Sequence, residues 1–248
     1  MKLRLLLGTC VLVSLGIGGS AALAAGHGAG TCSSGTIAAT TYNGLKVTGD
    51  CTFAAGTVTI NGNLTVAAGA VLNDHAGSPA TVIVTGNVKV GKGAVLGLGT
   101  YDPTGSRDTT VGGNIVANQP LSLYLSFITV HGNVISNGGG SGPAGPFRNF
   151  PIKDNTIDGN LIVQGWQGGW IGLIRNAVGG NVIFSKNASV VLEDGTPGTD
   201  EDANEVQTNT IGGNLICQRN TPAAQVNAID EGQPNTVGGN KIGQCAGL

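Results

Sequence analysis

Val111-Gly112-Gly113-Asn114-Ile115-Val116, Val178-Gly179-Gly180-Asn181-Val182-Ile183 and Ile211-Gly212-Gly213-Asn214-Leu215-Ile216 are three clear copies of one phrase, [Ile/Val]-x-Gly-Asn followed by an apolar pair. Eight copies place asparagine at Asn63, Asn87, Asn114, Asn133, Asn160, Asn181, Asn214 and Asn240, with gaps of 24, 27, 19, 27, 21, 33 and 26 residues. A loose period of that size marks a stacked repeat rather than a domain built round one central core. Three residues before each asparagine stands Ile60, Val84, Val111, Val130, Ile157, Val178, Ile211 or Val237, always β-branched and suited to a strand end. Gly and Asn are the residue types that best tolerate positive φ, so Gly-Asn is expected to make a sharp corner by adopting it. Leu64, Val88, Ile115, Val134, Leu161, Val182 and Leu215 resume the apolar pattern after the corner; Lys241 alone breaks it.

Strand, corner, strand at this period is one turn of a parallel β-solenoid, with rungs about 4.8 Å apart and the asparagines in one hydrogen-bonded ladder. A second strand per turn is written as Gly69-Ala70-Val71-Leu72 and Gly93-Ala94-Val95-Leu96, and again at Leu121/Leu123/Leu125, Ile171/Leu173 and Val190/Leu192. A third is written as Thr81-Val82-Ile83-Val84 and Phe127-Ile128-Thr129-Val130. The expected fold is therefore all-β, a right-handed parallel β-helix of about eight coils over residues 46–248. Residues 25–45 form an N-terminal cover. Val47-Thr48-Gly49-Asp50-Cys51 reads as a degenerate opening coil with Asp in the ladder position.

Lys2 and Arg4, the apolar run Leu5 to Ile17 and the small-x-small site Ala22-Leu23-Ala24 read as a secretory signal peptide over residues 1–24. No later stretch reaches the ~20 apolar residues that span a bilayer. Loss of Lys2 and Arg4 leaves 10 basic against 14 acidic residues, which offers no basic stripe for nucleic acid. Cys10 leaves with the signal, so Cys32, Cys51, Cys217 and Cys245 remain in an oxidising, extracellular setting. Three pairings are possible. The grouping of the cysteines favours Cys32–Cys51 and Cys217–Cys245, each pinning a terminal coil.

Glycine accounts for 44 of the 248 residues, but the regular aliphatic pattern argues against a disordered Gly-rich chain. The Gly-Asn corners, the coil length and the signal peptide resemble secreted bacterial right-handed β-helix proteins of the pectin-lyase-like superfamily. The last third, from Asn209-Thr210-Ile211-Gly212-Gly213-Asn214 to Asn235-Thr236-Val237-Gly238-Gly239-Asn240-Lys241-Ile242-Gly243-Gln244-Cys245, is similar to an uncharacterised secreted bacterial group. The resemblance implies architecture; activity varies widely on this fold. Its enzymes cleave acidic polysaccharides with clustered carboxylates, or with Ca²⁺ beside a basic residue. No paired aspartates at strand spacing appear here, and His27, His75 and His131 have no partners in sequence.

Eleven of the 14 acids fall instead in four insertions, at 97–110, 137–156, 193–210 and 218–236. Asp194, Asp200, Asp202 and Glu205 could hold Ca²⁺ through oxygen ligands, although the spacing departs from an EF-hand and a solvated acidic loop is the simpler reading. No other cofactor is expected. Trp166 and Trp170 share one face if the segment is extended, and could stack on sugar rings or be packed. Two places after each ladder asparagine, the row Val116, Ile135, Ile162, Ile183, Ile216 and Ile242 should face outward as an aliphatic stripe open to a partner or to self-association. The expected function is a secreted, non-catalytic structural or binding module of the extracellular space or envelope, with polysaccharide or a protein at the stripe as partner. The competing readings are a polysaccharide lyase or hydrolase using the insertion carboxylates, and a surface adhesin.

Overall fold

Leu64, Val88, Ile115, Val134, Leu161, Val182 and Leu215 each follow a corner asparagine, and all are fully buried. Side chains alternate across a strand, so one buried residue per turn fixes which face of the strand looks inward. The computed structural model describes residues 28–73, 80–100, 109–141, 149–190, 203–226 and 232–248. Among them every paired strand runs parallel to its neighbours, and no helix occurs. The fold is all-β and parallel, as in a parallel β-solenoid.

Three strand faces surround the core. The first face, beginning at the front half of Leu45–Phe53, runs through Leu64–Val66, Val88–Val90, Ile115–Asn118, Val134–Asn137, Leu161–Gln164, Val182–Ser185 and Leu215–Gln218 to Lys241–Gly243. The second leaves the back half of Leu45–Phe53 for Val71–Asn73, Val95–Gly99, Ser122–Ser126, Phe150–Lys153, Ile171–Ile174 and Asn204–Gln207. The third stacks nine short strands, from Thr41–Tyr42 to Thr236–Val237. Sequence expectation and structure part at three places. Asp50 lies inside the strand Leu45–Phe53, paired with Ser34 and Val71, and is not a corner. Gly30–Ile37 pairs in parallel with that strand, so the rungs begin within the segment expected as a cover. The second-face strand expected at Val190/Leu192 is Asn204–Gln207, because Ile171–Ile174 pairs there in register.

The corner works differently from the expectation. No ladder asparagine has positive φ, and of the eight corner glycines only Gly62 does. Close approach explains the glycine. A Cβ on Gly113, Gly159, Gly180, Gly213 or Gly239 would stand 2.6 Å from the amide oxygen of the preceding ladder asparagine. The glycine N–H instead donates to the carbonyl one rung back, as in Gly159 to Gly132 at 3.0 Å and Gly180 to Gly159 at 2.9 Å. A side chain here would push two rungs apart.

The ladder itself is continuous. Each Oδ1 from Asn63 to Asn214 accepts the backbone N–H of the next ladder asparagine at 2.8 Å. From Asn87 to Asn181 it also accepts that residue's side-chain N–H at 2.8–3.2 Å.

Two further ladders turn the other corners, and both lie inside. Asn155, Asn176, Asn209 and Asn235 are buried. Each of the first three donates its backbone and side-chain N–H to the next Oδ1. Each of the four also donates to a carbonyl one rung back, at Leu125, Ile152, Leu173 and Val206. Asn187, Asn220 and Gln244 form the third ladder, with Nδ2 of Asn187 and Asn220 bonded to the carbonyls of Val163 and Phe184. The residues just before these asparagines carry the left-handed backbone: Asp154, Arg175, Lys186, Thr208 and Arg219 have φ of 55–61°. Both disulfides pair within the terminal groups. Cys32–Cys51 joins the first rungs, with Cα atoms 6.5 Å apart, and Cys217–Cys245 ties the last, at 5.2 Å.

Gly159→Ala is expected to destabilise the fold by about 1–3 kcal/mol through overpacking. Gly28→Ala, where an added Cβ meets nothing within 4 Å, should leave the melting temperature unchanged. Asn176→Leu should cost more than Asn160→Leu in urea unfolding. It strands buried donors and acceptors at about 1–3 kcal/mol each, whereas Asn160 is half-exposed and water can replace its bonds.

Candidate binding face

The outward side of the first face carries three parallel rows. The middle row follows strand register without a break, Lys46–Thr65–Lys89–Val116–Ile135–Ile162–Ile183–Ile216–Ile242. Its aliphatic members are half-exposed from Val116 to Ile216, and Ile242 is 39% exposed. The stripe expected from the sequence is therefore present and solvent-accessible. On one side runs the half-exposed ladder Asn114, Asn133, Asn160, Asn181 and Asn214. On the other runs Asn118–Asn137–Gln164–Ser185–Gln218, also in register and accessible. Gln164 Nε2 donates to Asn137 Oδ1 at 2.6 Å.

The chemistry of the rows follows from their bonds. A side-chain amide has two N–H donors. Asn155, Asn176, Asn209, Asn187 and Asn220 use both, whereas the half-exposed outer-ladder amides direct one at their neighbour. The face thus presents an apolar strip between two lines of amides. Two residues separate each row from the next, so the face is about 13 Å across, and five rung steps make the aliphatic part about 24 Å long. At its N-terminal end the strip opens into a shallow depression of about 470 Å³ beside Thr65, Lys89, Val116 and Asn118.

The other sequence candidates fall elsewhere. Asp194, Asp200 and Asp202 lie outside the described residues. Glu205 belongs to no loop: it sits fully buried in Asn204–Gln207, its Cα opposite Gly172. Among the described residues no group of three or more His, Cys, Asp or Glu side chains is placed to hold a metal ion. The insertions are shorter than the spacing suggested, because Phe150–Lys153 and Asn204–Gln207 are regular rungs. Asp154 is a corner residue in a bidentate pair with Arg175, at 2.7 and 2.8 Å. His131 finds a partner unseen in the sequence: its Nδ1 lies 2.8 Å from Asp158 Oδ2, one rung on, with both side chains half-exposed.

Neither tryptophan offers a face to a sugar. Trp166 and Trp170 are 0% and 2% exposed. They precede different strands, Gln167–Gly168 and Ile171–Ile174, and so do not share one extended segment. Each indole folds across a glycine two residues on, Gly168 and Gly172, where any Cβ would strike the ring. Trp166 packs against Phe150, with ring centroids 5.4 Å apart, while Lys153 Nζ lies 4.4 Å over the Trp170 ring.

Fold and face together define an all-β parallel solenoid with a flat, amide-edged apolar surface. No family model, curated protein or solved structure matches the chain.

With both indoles enclosed, tryptophan emission should be blue-shifted and hardly quenched by iodide until the protein unfolds. Strong quenching of the native chain would contradict their packing.

Proposed function

We propose that the chain is a secreted, non-catalytic binding module of the extracellular space or cell envelope, with the outward side of its first face as the contact surface. On this reading it is a right-handed parallel β-helix of about eight coils, of the pectin-lyase-like kind, exported by the signal peptide at residues 1–24. The single observation that carries the proposal is the unbroken aliphatic row Val116 to Ile242, accessible to solvent and held in strand register. The largest apolar patch of a protein is often functional even at a few hundred Å². Rigidity adds to the argument. The rows stand on paired strands braced by the amide ladders, so little ordering entropy is lost on binding.

Two other observations are compatible with the setting. Both disulfides suit an oxidising compartment. Among the described residues no helix is long and apolar enough to cross a membrane.

The test is retention of the exported protein. In an exporting bacterial host the chain should fractionate with the insoluble envelope. The double variant Ile162→Glu with Ile183→Glu should pass into the medium, with circular dichroism unchanged and the melting temperature lowered only slightly by repulsion between carboxylates on neighbouring rungs. Glutamates at these outward positions disturb no buried residue, so a folded variant that still fractionates with the envelope would remove the contact face from the proposal.

A further inference from the structure

The composition of the three rows narrows what the face holds. Between the ladder at Asn114 and the outer row at Gln218, none of the fifteen side chains in the rows is charged; they are aliphatic, amide or hydroxyl. Lys186 and Arg219 stand beyond one margin, with His131 and Asp158 beyond the other. Lys46 and Lys89 continue the middle row only beyond Val116, so a polyanion would find no cation under the aliphatic strip itself, and a basic segment no acid. The area argues against a second copy. A strip of about 24 by 13 Å covers roughly 300 Å² per partner, so two faces together bury about half of the ~1,200 Å² that a stable protein pair needs. A thin polymer has no such requirement, because one chain can collect several copies of the protein along its length.

We infer that the face binds a neutral, extended polysaccharide chain lying parallel to the solenoid axis. This rests on the contact-face reading above. A flat glycan with equatorial linkages has apolar C–H surfaces above and below each ring and hydroxyls along both edges. The ring surfaces lie on Val116, Ile135, Ile162, Ile183 and Ile216. The hydroxyls reach the outward N–H groups of Asn133, Asn160 and Asn181 on one edge, and Asn137 and Gln164 on the other. Asn133, Asn160 and Asn181 each spend one N–H on the neighbouring ladder oxygen and Gln164 spends one on Asn137 Oδ1, so each has a second N–H to offer. The depression beside Lys89 lies at that end of the strip, in line with the polymer's path.

The experiment is affinity electrophoresis of the purified mature chain through gels containing a soluble neutral β-glucan or polygalacturonate, with light scattering alongside. The neutral glucan should retard the protein, and raised salt should leave the retardation intact, because no ion pairs form. Ile162→Glu with Ile183→Glu should weaken it by about tenfold or more. Gln164→Ala should weaken it less, while Thr236→Ala on the third face should behave as the parent. Four results overturn the inference: tighter retardation by polygalacturonate, loss of binding in salt, retardation indifferent to the double variant, or a stable dimer that the double variant dissolves. If envelope retention depends on Ile162 and Ile183 but no neutral glycan retards the chain, the polysaccharide falls while the contact face stands.

Discussion

The constraint on which this molecule depends is the closeness of backbone to backbone at the corner glycines from Gly86 to Gly239. An amide oxygen and a carbonyl of one rung approach the next so nearly that even a methyl group has no place between them. That proximity lets the asparagine side chain of one turn receive the backbone of the following turn, and so sets the vertical order of every strand. Because register is shared by all three faces, one exposed row can hold its course for nine rungs although the segments between rungs vary widely in length. The outer surface inherits its regularity from the corners, and the apolar strip follows from the same arithmetic that positions the core.

The two inner ladders solve another part of the problem. A chain that turns through a left-handed residue interrupts strand pairing and leaves a carbonyl without its usual partner. At Asp154, Arg175, Thr208, Lys186 and Arg219 the following asparagine supplies the missing donor from its side chain. Most buried polar groups in proteins are bonded, and Asn176 shows how it is done here: its oxygen accepts two N–H groups, and its nitrogen donates to Asn209 and Ile152. A buried asparagine is thus one way to complete the corner, used after Asp154, Arg175, Lys186, Thr208 and Arg219 but not after Phe127 or Gln119, where Ile128 and Pro120 follow.

Much of this was legible in the residues, and the gaps have physical causes. The parallel rungs, the outer ladder, the disulfide pairs and the aliphatic row could be read because the segment from each ladder asparagine to its outer row holds no insertion. Glycine was assigned the wrong reason: its tolerance of positive φ was invoked where a steric limit between rungs operates. Asn155, Asn176, Asn209 and Asn235 each lie five residues before a ladder asparagine, yet do not stand out as a repeat. Read forward across the insertions their spacing is irregular, and only the backward count is constant. Trp166 and Trp170 could not be placed from an even spacing, because the chain turns between them. Glu205 was counted among loop acids since nothing local distinguishes a buried strand glutamate from a solvated one. The His131–Asp158 pair was invisible because its members are 27 residues apart and meet only through stacking.

The second corner row has a mechanical consequence. Followed up the stack it reads Val58, Val82, Thr109, Ile128, then Asn155, Asn176, Asn209 and Asn235. Below Asn155 the same positions lie in backbone-paired strands, as Val58 does opposite Val82 and Thr109 opposite Ile128, without a side-chain ladder at this corner. Above it each junction is held by short, oriented bonds that resist until they snap together. As a loaded rod, the molecule therefore carries one more line of oriented side-chain bonds at this corner from Asn155 upward than below it. Sliding one upper rung over the next would have to break that line as well as the backbone bonds of the strands.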